Sequence, residues 1–131
     1  MTTTQPLRVL IVEDDPGIRD LLTIAFEEDG WAVSVAADGD EAASKVAVSR
    51  PDVIVLDLMM PRKSGFALLQ QWKSDRSVSE EQIVVLTAVP EEKLRHLMSY
   101  LGVYRVISKP FDIENLLQIC KGVAVARSRR W

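Results

Sequence analysis

One cysteine, Cys120, and one histidine, His96, are all the thiol and imidazole that 131 residues contain. No intrachain disulfide can form, and neither a cysteine-based nor a histidine-based metal site can be assembled. Charge interrupts every apolar run well before the roughly 18 residues that a membrane span requires. Met1 to Pro6 is polar and lacks the apolar segment of a signal peptide. There is no internal repeat, no low-complexity segment and no glycine-rich phosphate loop after the first apolar run. The net charge is -3, so the basic excess that direct nucleic-acid binding calls for is also missing. A cytoplasmic protein with no direct nucleic-acid contact and no membrane contact is expected.

What the chain does contain is enough for one self-sufficient core. With 47% hydrophobic and 27% charged residues, it fits a single globular domain that needs no covalent staple. Residues 1–6 are expected to be a disordered N-terminus and 7–125 the domain. Residues 126–131, ending in the basic RSRRW, are expected to be a tail or the stump of a linker, too sparsely charged to bind nucleic acid well. Short apolar runs recur at Leu7–Val12, Ala32–Ala36, Asp52–Leu56, Gln82–Leu86 and Tyr104–Ile107. Several are apolar at consecutive positions, the pattern of strands covered on both faces.

Between these runs the apolar residues take helical spacing. Ile18, Leu21, Leu22, Ala25 and Phe26 form one stripe, and Ala42, Ala43, Val46 and Ala47 the next. Phe66, Leu68, Leu69 and Trp72 follow, then Leu94, Leu97, Met98 and Leu101, then Ile113, Leu116, Leu117 and Cys120. Gly30, Gly39 and Gly102 punctuate the pattern, while Pro16, Pro61 and Pro90 stand near helix starts. Five repeats of strand then helix predict an α/β fold: a doubly wound parallel sheet with right-handed crossovers. Ligands of such sheets gather at the carboxyl ends of the strands.

Glu13, Asp14 and Asp15 follow the first run, Asp57 ends the third, Thr87 ends the fourth, and Ser108, Lys109 and Pro110 follow the fifth. The predicted sheet therefore brings several carboxylates, a hydroxyl and an ammonium to one rim. Crowded carboxylates repel each other unless a cation intervenes. A few solvent-accessible oxygen ligands suit Mg²⁺, with Mn²⁺ able to substitute. Asp57 is then a carboxylate nucleophile able to form an aspartyl phosphate. Lys109 can place a positive charge against one phosphoryl oxygen, and Thr87 can donate a hydrogen bond to another.

VEDDP (12–16), DLMMP (57–61) with Gly65, LTA (86–88) and SKPF (108–111) together resemble the receiver domain of bacterial two-component response regulators, over about Leu7 to Val123. The resemblance implies a CheY-like, flavodoxin-like (βα)5 fold with sheet order 2-1-3-4-5 and helices on both faces. It implies phosphoryl transfer to Asp57 from a sensor histidine kinase or phosphotransfer protein, followed by spontaneous loss of the group to water. On that match Glu13 and Asp14 are the acidic pair. Asp14, Asp57 and the backbone carbonyl of Met59 bind Mg²⁺, and Glu13 acts through a water. Lys109 and Thr87 couple phosphorylation to a change of shape. Glu rather than Asp at position 13 departs mildly from the family pattern. Val106 stands where many receivers carry Tyr or Phe, and the nearest aromatic, Tyr104, lies two residues earlier on the same face. Met59 and Val89, two past Asp57 and Thr87, are expected to shield the phosphoryl group from water. The resemblance implies an output face formed by the fourth helix, fifth strand and fifth helix, where partners or a second copy in a homodimer would dock.

Other readings of single residues are blander. Asp15 before Pro16 is a helix cap or a solvated residue, His96 lies on or near the surface, and Trp72 and Cys120 belong to the core. Trp31 and Trp131 are expected to be partly exposed and have no assigned role. Among whole-protein alternatives, a phosphatase with an aspartyl nucleophile needs a general acid two residues on, where Met59 cannot transfer a proton. A flavin- or nucleotide-binding module lacks its glycine-rich loop. A pseudo-receiver that only docks partners would not need the acidic and switch positions, all of which except the aromatic are present. The chain is expected to be a phospho-accepting switch that catalyses its own phosphorylation and dephosphorylation, rather than an enzyme acting on a separate substrate.

Overall fold

The structure, a computed structural model, describes residues 5–60, 63–103 and 105–128. Strand β1 (Arg8–Val12) leads into α1 (Pro16–Glu28), β2 (Ala32–Ala36) into α2 (Gly39–Ser49), and β3 (Val53–Asp57) into α3 (Gly65–Asp75). Then come β4 (Ile83–Thr87), α4 (Leu94–Leu101), β5 (Arg105–Ser108) and α5 (Ile113–Ser128). The five strands are parallel, as the alternating pattern implied, and stand in the order β2-β1-β3-β4-β5, as the family resemblance implied.

Alternation along each strand divides the core in two. Leu10, Ile54, Leu56 and Val85 face α2 and α3, where they meet Val46, Leu68 and Trp72. Val9, Ile11, Val55 and Val84 face Leu22 and Phe26 of α1 and Leu116, Cys120 and Val123 of α5. Both faces of β3 and β4 are therefore covered, which is why VIVLD and IVVLT are buried at every position.

Side chains at the first turns set where the helices begin. Asp38 accepts a hydrogen bond from Glu41 N–H at 2.8 Å, and Ser64 from Ala67 N–H at 3.2 Å, each capping orphan donors of α2 and α3. Gly30 closes α1 with a φ of 92°, a left-handed conformation that a side chain would strain.

Several sequence expectations shift on contact with the structure. The third and fourth strands begin one residue later than expected, and the fifth runs on to Ser108, one residue past its expected end. Gln82 is held out of β4 because its side chain accepts from Ser79 N–H at 2.8 Å and donates to Pro51 O at 2.9 Å, fixing a short 3₁₀ turn. Asp52 accepts from Arg8 N–H at 2.8 Å and so precedes β3 as a side-chain partner of β1. At the other end, Asp57, Thr87 and Ser108 are themselves the last strand residues. Helix α5 continues to Ser128, past the domain end expected at 125.

Trp31 is only 5% exposed, because its ring packs edge-on against Phe26 at 5.3 Å and its Nε1–H donates to Asp29. Leu21, placed in the apolar stripe of α1, is instead exposed. Trp72 and Cys120 lie in the core as expected. Pro61, Tyr104 and Trp131 lie outside the described residues.

Candidate functional site

The carboxyl ends of β1, β3, β4 and β5 form one rim. Past β1, Glu13 N–H donates to Ala36 O at 3.0 Å, so the chain stays beside β2 for one further residue. That keeps the Glu13 side chain inside, at 1% exposure. Arg19, one turn into α1, reaches back to donate to Glu13 O at 3.0 Å and Asp14 O at 3.4 Å. Asp15 caps α1 by accepting from Gly17 N–H at 2.8 Å and Ile18 N–H at 3.2 Å, with Pro16 at the first helical position. Its side chain serves the helix, leaving Glu13 and the partly exposed Asp14 to the rim.

Asp57 closes β3 opposite Leu86 and is 4% exposed. Its Oδ1 accepts from Met59 N–H at 3.1 Å. Helix α3 starts so close that a Cβ on Gly65 would lie 2.7 Å from Asp57 O and 2.6 Å from Leu58 Cα, distances that no side chain tolerates. Lys109 follows β5, and its N–H donates to Thr87 O at 2.7 Å. Its ammonium lies 3.4 Å from Asp57 Oδ2 and 3.3 Å from Glu13 Oε1.

The pocket's charge balance is uneven. Burial, then the hydrogen bond and charge of Asp57, push the Glu13 carboxyl up from 4.5 to about 7, against the opposing pull of Asp15 N–H and Lys109. Burial works to lower the Lys109 pKa, but the carboxylates of Asp57 and Glu13 outweigh it and hold the ammonium above its ordinary value.

Among the described residues, Glu13, Asp14 and Asp57 each bring one carboxylate oxygen to within 4.8 Å of the others. Hard oxygen donors, a crowded negative charge and one accessible member are the donor set of a small hard divalent cation. The residues present fit Mg²⁺.

Thr87, 1% exposed, ends β4 opposite Ser108 of β5. Its Oγ1 accepts from Val89 N–H at 3.2 Å, while Ser108 Oγ donates to Val89 O at 2.9 Å. Val106 is half-buried against the α2–α3 side of the core. Met59 is 68% exposed, His96 is exposed on α4, and Val89 is half-buried. Sequence reasoning missed Arg19 and the hydroxyl of Ser108 as structural members of the rim. Arg19 carried no signal beyond its i+6 distance from Glu13, and Ser108 was legible only as a polar residue beside the lysine.

Known proteins resemble this chain in sequence and fold. The sequence profile of the response regulator receiver domain family matches residues 9–121. The transcriptional regulator RpaA of Synechocystis, described as a DNA-binding dual master regulator, is 36% identical over 84% of this chain and 46% of its own length. The response regulator MprA of Mycolicibacterium vanbaalenii is 38% identical over 86% of this chain and 48% of its own. The chain thus spans about half the length of these curated relatives. Among solved structures, the receiver domain of Francisella response regulator 1452 superposes with a TM-score of 0.83 at 28% identity, covering 93% of this chain and 98% of that one. The Vibrio cholerae chemotaxis protein CheY4 superposes at 0.79 with 29% identity, over 91% and 99% of the two chains.

Proposed function

Because the chain belongs to the response regulator receiver domain family, whose members act in phosphorelay signal transduction, we propose that Asp57 is its phosphoacceptor. The observation that carries this reading is the Lys109 ammonium lying 3.3 to 3.4 Å from carboxylates of two different strand ends, one of them Asp57. An Asp57 oxygen forms the new O–P bond as the P–N bond of a phosphohistidine donor breaks. The imidazole leaves with the electron pair and takes a proton from solvent. Asp14, Asp57 and the Met59 carbonyl would hold Mg²⁺, with Glu13 acting through a water, and the ion would supply the positive charge that lets one anion approach another. Lys109 holds a second positive charge against the transferred group, and Met59 N–H fixes the rotation of the Asp57 carboxylate. Thr87 donates its hydroxyl to a phosphoryl oxygen and so converts the reaction into a shape change.

The donor is a sensor histidine kinase or a phosphotransfer protein. Output passes through the face made by α4, β5 and α5 to a second copy or to an effector. The chain catalyses its own phosphorylation and dephosphorylation and turns over no separate substrate.

Incubation with acetyl phosphate and Mg²⁺ is expected to add one phosphoryl group to the intact mass of the wild type and none to Asp57→Asn. An unmodified wild type, or an equally modified Asp57→Asn, would sink the assignment. In the same assay Met59→Asn combined with Val89→Glu is expected to shorten the phosphoryl lifetime several-fold; an unchanged lifetime removes the shielding role of that pair.

A further inference from the structure

The backbone of Val89, two residues past β4, is gripped from both sides by hydroxyl groups of neighbouring strands. Its N–H donates to Thr87 Oγ1 at 3.2 Å, and its carbonyl accepts from Ser108 Oγ at 2.9 Å. Thr87 and Ser108 are register partners at the ends of β4 and β5, and Lys109 N–H donates to Thr87 O at 2.7 Å. The backbone of Thr87 is therefore fixed by the sheet. Only its hydroxyl can answer a new group on Asp57, by rotation about χ1 between staggered wells. That rotation carries Oγ1 away from Val89 N–H unless the loop travels with it. Ser108 opposes the travel, because it ties the Val89 carbonyl to β5.

We propose that Ser108 is a positioning residue for the switch: its hydroxyl latches the β4–α4 loop in the unphosphorylated position and sets how readily Thr87 is drawn toward Asp57. The proposal rests on the phosphoacceptor reading of Asp57 and adds a regulatory element to it. Val106 contributes only an aliphatic side chain to this region, so it offers the loop no competing hydrogen bond. Val89 is half-buried, and water can take the place of the serine hydroxyl once it is removed. Losing one neutral hydrogen bond of ordinary strength alters a two-state ratio about fivefold. A latch that holds only the resting position therefore lowers the apparent affinity for a phosphoryl mimic by that factor.

The test compares wild type, Ser108→Ala, Ser108→Thr and Asp57→Asn by two measurements. One is the affinity for beryllofluoride in Mg²⁺; the other is amide hydrogen exchange of the β4–α4 loop without ligand. Ser108→Ala is expected to bind beryllofluoride about fivefold more tightly and to exchange the loop amides about fivefold faster, with Ser108→Thr restoring both. Unchanged or weaker affinity in Ser108→Ala overturns the latch, whatever its exchange does, and so does a Ser108→Thr variant that behaves like Ser108→Ala. A wild type indifferent to beryllofluoride, or matched by Asp57→Asn, overturns the phosphoacceptor reading instead. The ligand-free exchange still shows separately whether Ser108 restrains the loop.

Discussion

Glu13 is a residue whose charge the fold disfavours. It is almost fully enclosed, faces Asp57, and has its carboxyl raised from 4.5 to about 7 chiefly by burial. An acid raised on folding binds its proton more tightly in the native state than in the unfolded one. Stability is therefore greatest below the unfolded value and declines as pH rises between 4.5 and about 7. In chelator, the thermal midpoint of the wild type is expected to fall by several degrees across that window, and Glu13→Gln to flatten the fall. Equal slopes in the two proteins would show that Glu13 is not the group responsible. This tension was invisible in the string VEDDP, which reveals three adjacent acids but not which of them is inside. Burial of Glu13 and the capping role of Asp15 are decided by the β2 carbonyl at Ala36 and by the start of α1.

At the scale of elements, the junction between β3 and α3 carries a tight constraint beside the site. Gly65 lets the helix begin against the Asp57 carbonyl, with Gly65 N–H donating to Leu58 O at 3.0 Å. Gly65→Ala must push the helix from the strand end. It is expected to cost about 1 to 3 kcal/mol in denaturant unfolding and to slow phosphoryl uptake. Gly122→Ala, in α5 with nothing within 4 Å of the new methyl, is the matched control and is expected to be neutral or slightly stabilising. Equal stability of the two variants would refute the steric account. Element order was legible in the sequence, because consecutive apolar runs alternate with stripes of period 3.6, whereas the sheet order came only from the family resemblance. Strand starts were less legible: Asp52 and Gln82 read as first strand residues, yet their side chains bond outside the ladder, and Ser108, read as following β5, is paired within it. Trp31 follows a glycine and reads as a surface aromatic, and only the return of the chain past Phe26 encloses it.

Over the whole molecule, charge accumulates at one end of a sheet whose two cores are otherwise apolar. A cation bound there stabilises the folded chain by mass action. At tenfold excess over its dissociation constant, Mg²⁺ contributes about 1.4 kcal/mol, or roughly 5 °C in the calorimetric midpoint. A variant carrying both Asp14→Asn and Asp57→Asn is expected to lose that shift, and retention of the full shift would place the ion elsewhere. The opposite end of the sheet holds the buried tryptophans. Trp31 precedes β2, and Trp72 lines a cleft with Pro51, Asp52 and Gln82, where β3 and β4 begin. Both indoles are thus a full strand length from the reacting carboxylate and shielded from solvent. Emission from these two indoles is suited to following denaturation and nearly blind to signalling, whereas a fluorophore added on the other rim, at exposed Ala88 for example, would report the phosphorylated state.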